Sequence, residues 1–317
     1  MKRVTLADIA KKCGVSVNTV SHALNNKPDI SEQKKEDIRK VADEMGYISN
    51  SAASFLRTGQ SKSIGIIIGD IVNPSFSINL HLLEKELRRQ GYSCIFYDHN
   101  EDNRMEKQAI KDAIEKGVDG IILCPSQHSE QNVRFLMEYK IPFVLMQRRF
   151  RNLDTNYVVP NDYDSGRQAA EYLLEKGCKK IACLMMKSYV SNVNERLEGI
   201  RAVYRTHKRK LSKEDCFYMS GGEESHRMTM DQILEADYDG VICFCDKWTM
   251  EFLSYAKRDI QLISFDGIRP YFFVPAKFAS LGTNWEDFCH AILEVLLDDI
   301  NGKKEKAHIV FDTEIFY

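Results

Sequence analysis

The sequence predicts two fold classes in one chain, a small all-α head and an α/β body built as two doubly wound lobes. Three observations carry this. The first 46 residues hold three short stretches with apolar residues at helical spacing and no strand-like alternation. From Ile64 onward, short apolar strands alternate with amphipathic helices, the rhythm of parallel sheets covered on both faces. That rhythm runs twice, with near echoes at matching points, VDGIILCPS (118–126) and YDGVICFCD (238–246). A length of 317 residues leaves room for two or three such domains.

The head comes first. TLADIAKKCG opens with Thr5 as N-cap and Asp8 three residues on, a capping box with Asp in place of Glu, and closes on Gly14. Ser16 can cap a second helix running to about Asn25, with Val20 and Leu24 turned inward. Ser31 can cap a third, in which Ile38, Val41, Ala42 and Met45 recur at helical spacing before Gly46. About three residues, Cys13 to Val15, separate the first two helices. So short a turn, containing glycine, makes them cross steeply, which is helix-turn-helix geometry.

Between Ser49 and Ser63 the composition shifts to SNSAASFLRTGQSKS, a linker carrying a short nascent helix that is marginal without a partner. The body then reads as strands SIGIIIGD, YSCIFYD, VDGIILCPS and IPFVLM, each followed by a helix or turn. After NYVVPND come KKIACLMM, DCFYMS, YDGVICFCD and QLISFD with helices between. The resulting division is 1–46 for the head, 47–62 for the linker and 63–317 for the body. Within the body the first lobe takes 63–160 plus 284–301, and the second takes 161–283 plus 302–317. In such sheets a ligand sits beyond the carboxyl ends of the strands, so two facing lobes should close on a small molecule.

Charge is unevenly spread. Residues 1–60 carry ten Lys and Arg against seven acids, a balance of +3, while the whole chain is at −2 and the remainder therefore at −5. A basic head on an acidic body suits one end meeting phosphate. The nine cysteines are scattered, with no C-x-x-C spacing, and several sit in apolar runs, which reads as buried free thiols in a reducing cytosol. No apolar run approaches the roughly 18–20 residues of a membrane span, and MKRVTLADIAKKCG has no apolar leader segment, so the expected location is the cytoplasm.

With these segments in order, the chain resembles the lactose/galactose repressor (LacI/GalR) family of bacterial transcription regulators. VTLADIAKKCGVSVNTVSHALNNKPDIS resembles the family's helix-turn-helix, and EMGYISNSAASFLRTGQSKSIGIIIGDIVNPSFS its hinge helix and first effector-domain strand. DSGRQAAEYLLEKGCKKIACL, NERLEGIRAV and LISFDGI continue the likeness, which spans essentially the whole chain. The lobes alone also resemble periplasmic sugar-binding proteins. The resemblance implies a homodimer, or a dimer of dimers, on a near-palindromic operator, with the second helix in the major groove. It places Val17, Asn18 and His22 at base edges, and Thr5, Ser16, Thr19, Ser21 and Asn25 toward phosphates. That allocation agrees with the chemistry, since Asn suits adenine and hydroxyls suit phosphate. In the hinge it implies DNA contacts at Asn50, Ala53 and Leu56, the last as an apolar wedge in the minor groove, with packing against the body as the alternative.

Some positions depart from the family pattern. His22 stands where the family usually has arginine, which implies a variant operator base; a solvent-facing histidine is the alternative. Ser49 and Ser54 replace a usual proline and arginine in the hinge, and GTNW (282–285) lacks the usual Gln-Pro at the return between lobes. By the same resemblance the effector cleft is lined by Asn73, Phe76, Arg148, Asn161, Asn192, Arg196, Asp246 and Asp266. Arginine, acids and a stacking aromatic suit a sugar, whose hydroxyls need donors and acceptors and whose ring needs an apolar face. For Arg196 and Asp266 the alternative is a structural ion pair. Arg148, Arg149 and Arg151 point either to an anionic effector or to a solvated basic loop.

Two other classes stay open from sequence. One is a regulator whose cleft is silent and whose signal is a protein, as in the family's phosphocarrier-dependent carbon-catabolite members. The other is an enzyme, but the chain shows no P-loop, no G-x-S-x-G elbow, no H-E-x-x-H and no metal spacing among its eight histidines. Asp70, Asp246 and Asp266 lie at strand ends without a paired nucleophile. The reading is therefore a non-catalytic regulator with no cofactor and no metal.

Overall fold

The computed structural model describes residues 4–48, 59–186, 189–256, 258–273 and 278–317, and the chain divides into two compact units, 1–61 and 62–317. In the head, α1 (Leu6–Cys13) is closed at its start by the Thr5–Asp8 capping box and at its end by Gly14, whose φ of +66° is the left-handed turn that glycine permits. Helix α2 (Val17–Leu24) begins three residues after α1 ends, over Gly14–Ser16, one position later than the expected Cys13–Val15. The Ser16 hydroxyl accepts from the Thr19 N–H. Helix α3 (Glu32–Glu44) starts after Ser31, whose side chain makes no capping bond. Ile9, Ala10, Val20, Ala23, Ile38 and Ala42 form the head's buried core, with Leu24 and Val41 packed at its margin. Hinge residues Asn50, Ala53 and Leu56 lie outside the described residues.

The body contains two six-stranded sheets. Strands β1 (Ser63–Ile68), β2 (Ser93–Asp98), β3 (Gly120–Leu123), β4 (Phe143–Met146) and β5 (Tyr157–Pro160) pair in parallel. Between them run α4 (Pro74–Arg89), α5 (Asn103–Glu115) and α6 (Gln131–Tyr139). The second lobe holds α7 (Asp162–Glu175), β6 (Ile181–Met185), α8 (Ser191–Thr206), β7 (Cys216–Tyr218), α9 (Glu223–Glu235), β8 (Gly240–Cys243), α10 (Asp246–Tyr255), β9 (Gln261–Phe265) and β10 (Ala279–Gly282). Helix α11 (Trp285–Ile300) returns to the first lobe and buries Phe288, Ile292 and Leu296 in its core.

The tail then corrects the expected division. Strand β11 (His308–Phe311) pairs in parallel with β5, so it extends the first sheet, to the order β11-β5-β4-β3-β1-β2. Only β12 (Glu314–Phe316) joins the second, antiparallel to β10, to the order β12-β10-β9-β8-β6-β7. Residues 302–317 are thus shared between the lobes. The chain crosses between lobes three times, at Asn161, at Thr283–Asn284 and at Asp312–Thr313. The central strands are buried on both faces, as their continuous apolar runs require. All nine cysteines are free thiols, six of them buried and three partly so. No helix among the described residues is long and apolar enough to cross a membrane.

Candidate functional site

The outward face of α2 is polar and accessible. Val17 is 47% exposed, and Asn18 is exposed beside it. The helix has no acid in its first turn, which leaves its N-terminal N–H groups electrostatically suited to phosphate. The hydroxyls there also serve the fold. Thr5 donates to Asp8 at 2.7 Å, Ser16 and Thr19 share a hydrogen bond of 2.8 Å, and the Asn25 amide donates back to the Ser21 carbonyl at 2.6 Å. His22 is not a free solvated ring, since its Nδ1 lies 2.5 Å from Oδ2 of Asp29 in the turn after α2. The hydrogen bond from His22 holds the Asp29 carboxyl below its ordinary range. Asp29 was not anticipated from sequence.

In the body, a cavity of about 30 Å³ lies where the lobes meet at the carboxyl ends of the strands. Gln147, Asp162, Asn192, Arg196, Asp266 and Trp285 are among its walls. That volume holds one or two water molecules and no sugar ring. A larger concavity, near 490 Å³, lies on the outer surface of the second lobe around Glu171, Glu175, His207 and Arg209. It shares no residue with the cleft.

Five of the eight expected cleft residues sit at this junction. Asn73 caps α4, accepts from the Ser75 N–H and hydrogen-bonds Asp266 across the lobes. Asn161 caps α7 at the first crossover. Asn192 and Arg196 project from α8 one turn apart. Arg196 is 8% exposed, donates to Asp162 at 2.7 Å and to the Phe244 carbonyl at 2.9 Å, and lies over the Phe265 ring at 4.1 Å. Its acid partner is thus on the same lobe. Asp266 ends β9 with φ +108°, a strained backbone for a residue with a side chain, and its carbonyl accepts from Trp285 Nε1 at 2.8 Å. Burial raises the Asp266 carboxyl and the neighbouring Asp246 raises it further, to about 8, against the opposing pull of Arg196.

The other three expected residues are elsewhere. Phe76 is 4% exposed and packs in the first lobe's core with Ile268 and Trp285, so it offers no open ring face. Asp246 is fully buried, accepting from the Ser264 and Ser280 hydroxyls and the Ile268 N–H, which fixes the start of α10 and the β9 end. Burial raises its carboxyl too, with those bonds opposing. Arg148 is not among the cavity's lining residues: it is 4% exposed, held in a two-pronged ion pair with Glu101 at 2.7 and 2.8 Å, and its guanidinium also lies 4.0 Å from the Met186 sulfur of the second lobe. Gln147, the first residue past the end of β4, adopts a left-handed φ of +62° and is the one that lines the cavity.

The other arginines of this segment are also paired. Arg149 reaches Glu195 at 3.1 Å and stacks on Tyr157, while Arg151 reaches Glu195 at 3.3 Å and Glu198 at 3.5 Å. Of the two expectations, a solvated basic loop fits Arg151, whose side chain is 62% exposed, while Arg148 and Arg149 are enclosed and paired with Glu101 and Glu195. Further contacts tie the lobes together. Lys247 bonds Asp70 at 2.8 Å, the Tyr189 hydroxyl meets His128 Nε2 at 2.8 Å, and the Ser191 N–H donates to Gln127 at 2.8 Å.

Comparison with known proteins agrees with this architecture. Residues 5–50 match the bacterial regulatory proteins, lacI family, and residues 64–272 match a periplasmic binding protein domain. A curated relative, the HTH-type transcriptional repressor PurR of Vibrio atlanticus, is 28% identical over 276 residues, covering 83% of this chain and 82% of its own. Among solved structures, the lac repressor dimer bound to operator and the anti-inducer ONPF superposes with a TM-score of 0.83 at 18% identity, covering 100% of this chain and 98% of that one. The transcriptional regulator CelR–cellobiose complex gives 0.72 at 20% identity, covering 99% of both chains. At those identities the two structures speak for the fold alone. The fold and sites define a DNA-binding regulator with a ligand-type body. The chain belongs to the lacI family of bacterial regulatory proteins.

Proposed function

We propose that this protein is a cytoplasmic, non-catalytic repressor, dimeric on a near-palindromic operator, whose DNA affinity is set by a small neutral sugar between its lobes. One observation carries the ligand class. Gln147 Nε2, a donor, and Asn192 Oδ1, an acceptor, are both buried without a partner among the described residues, and both residues line the same cavity. A hydroxyl donates and accepts at once, so a polyol satisfies both, and burying such groups unsatisfied costs stability. The three paired arginines speak against a phosphorylated ligand, because none is left to meet its charge. The cellobiose of the structurally similar CelR complex is in keeping with this class.

The DNA reading keeps the sequence allocation, with Val17, Asn18 and His22 at base edges and Thr5, Ser16, Thr19, Ser21 and Asn25 toward phosphates. The hinge positions Asn50, Ala53 and Leu56 are proposed on the family resemblance alone. A second reading, a silent cleft with a protein signal, is favoured by the closed cavity of about 30 Å³. One experiment separates the two. In a thermal-shift screen against neutral and phosphorylated sugars, the correct ligand at a hundred times its dissociation constant adds about 2.7 kcal/mol of stability, and Asn192→Ala weakens that sugar about 2- to 10-fold. If no sugar shifts melting and operator binding instead requires a phosphocarrier protein, the sugar reading fails.

A further inference from the structure

Base reading by α2 rests on a histidine whose surroundings decide which of its atoms a base can meet. The His22 side chain is 32% exposed, and its Nδ1 is held at 2.5 Å by the Asp29 carboxylate, itself 54% exposed. A carboxylate can only accept, so the hydrogen of this bond sits on Nδ1, and the base-facing atom is Nε2. Lys27 is the other charged group acting on Asp29, from the same turn, and Arg39 of α3 is turned to Asn26 at 3.2 Å.

We propose that Asp29 is a positioning residue for specificity: by holding the Nδ1 hydrogen of His22, it orients the ring in the recognition helix and makes Nε2 the single atom that reads a base edge. As imidazolium, the paired ring presents an Nε2–H donor, suited to the N7 or O6 of guanine. As the neutral ring, it presents an Nε2 lone pair, suited to the amino group of cytosine or adenine. In either state it makes one bond where an arginine in its place makes two, so discrimination at that base pair is modest and set by the carboxylate. Asparagine at position 29 can donate as well as accept, which releases the choice of tautomer. This inference rests on the proposal that α2 reads operator DNA.

The test selects operators from a randomised library with the full-length wild type, Asp29→Asn, His22→Ala and the double variant. Circular dichroism and affinity for non-specific DNA serve as controls that the exposed substitutions leave the head folded. The expected result is a shift of about 2- to 10-fold in base enrichment at one position per half-site for Asp29→Asn. That shift disappears when His22 is already alanine, an outcome that a merely structural role for Asp29 does not give. If Asp29→Asn selects the wild-type sequence unchanged, or shifts it equally in the His22→Ala background, the positioning role is overturned while DNA reading stands. If the wild type itself enriches no sequence, the DNA-reading proposal falls and this inference falls with it.

Discussion

At the residue scale, Asp266 concentrates the electrostatics of the cleft. Its carboxyl is raised by burial and by Asp246 to about 8, and it accepts an N–H from Asp246 while hydrogen-bonding Asn73 across the lobes. A raised carboxyl means that the folded state holds its proton more tightly than the unfolded chain does. The associated stability is therefore fully present below the ordinary carboxylate value of 3.8 and is lost as pH climbs toward about 8. Asn cannot ionise, so the melting temperature of Asp266→Asn relative to wild type should rise between pH 5 and pH 8.5. A difference that stays flat across that range would contradict the buried-charge account. The pair titrates together, so this is the behaviour of the Asp246–Asp266 unit. The same scale explains which site residues were legible in sequence. Asn192, Arg196 and Asp266 were expected from the family resemblance, and they line the cavity between the lobes. Gln147 lines the cavity from a left-handed bend just past β4, a local turn that no apolar run marks, so the sequence pointed to its neighbour Arg148 instead. Asp29 and Glu101 escaped because their partners are fixed by turns with no periodicity to read.

At the scale of elements, α7 and α8 touch more closely than side chains allow. A Cβ at Gly166 would come 2.1 Å from the Arg196 carbonyl oxygen, and one at Gly199 would come 2.0 Å from that of Tyr163. The two glycines therefore form a reciprocal contact of backbone against backbone, and that contact sets Asp162 of α7 against Arg196 of α8. Alanine in a helix ordinarily stabilises by about 1 kcal/mol over glycine. Here the clash is with backbone that cannot rotate away, and overpacking of this kind costs about 1–3 kcal/mol. Gly199→Ala should lower the urea midpoint without changing the slope, and should weaken sugar binding through the displaced Arg196. Equal or greater stability would mean that the helices are not in this contact. Elements with strong periodicity, such as α1, α3 and β1, matched their sequence signals closely. The strands β10, β11 and β12 did not announce themselves. They have three or four residues each; β11 alternates exposed with half-buried positions and β12 is exposed at its first residue and half-buried at the next two, both at sheet edges, and the buried β10 reads ASLG without a long apolar run. The tail was misdivided for that reason, because pairing partners, and not local composition, decide which sheet an edge strand joins.

At the scale of the whole molecule, the closed cleft has a consequence for regulation. Lys247–Asp70, Tyr189–His128 and the Arg149 and Arg151 pairs with Glu195 all bridge the lobes, and the cavity they close takes only one or two waters. The sugar proposed as effector must then bind a state in which the lobes have parted, and its apparent affinity is reduced by the fraction of molecules in that state. Asp70 and Lys247 are each about a third exposed, so their pair is screened by solvent and contributes at most about 1 kcal/mol to closure. Asp70→Ala should accordingly tighten sugar binding by up to about fivefold in calorimetric titration. Weaker binding in that variant would place the Asp70 contact in the liganded state instead. The operator answers to the same equilibrium. Whatever factor a saturating sugar applies to operator affinity, saturating operator must apply to sugar affinity, because both are one coupling free energy. Fluorescence anisotropy on labelled operator and calorimetry with sugar measure the two factors independently. Equality of the factors in wild type and in Asp70→Ala is the expected outcome, and a sugar that binds tightly while leaving operator affinity unchanged would remove the cleft from the regulatory mechanism.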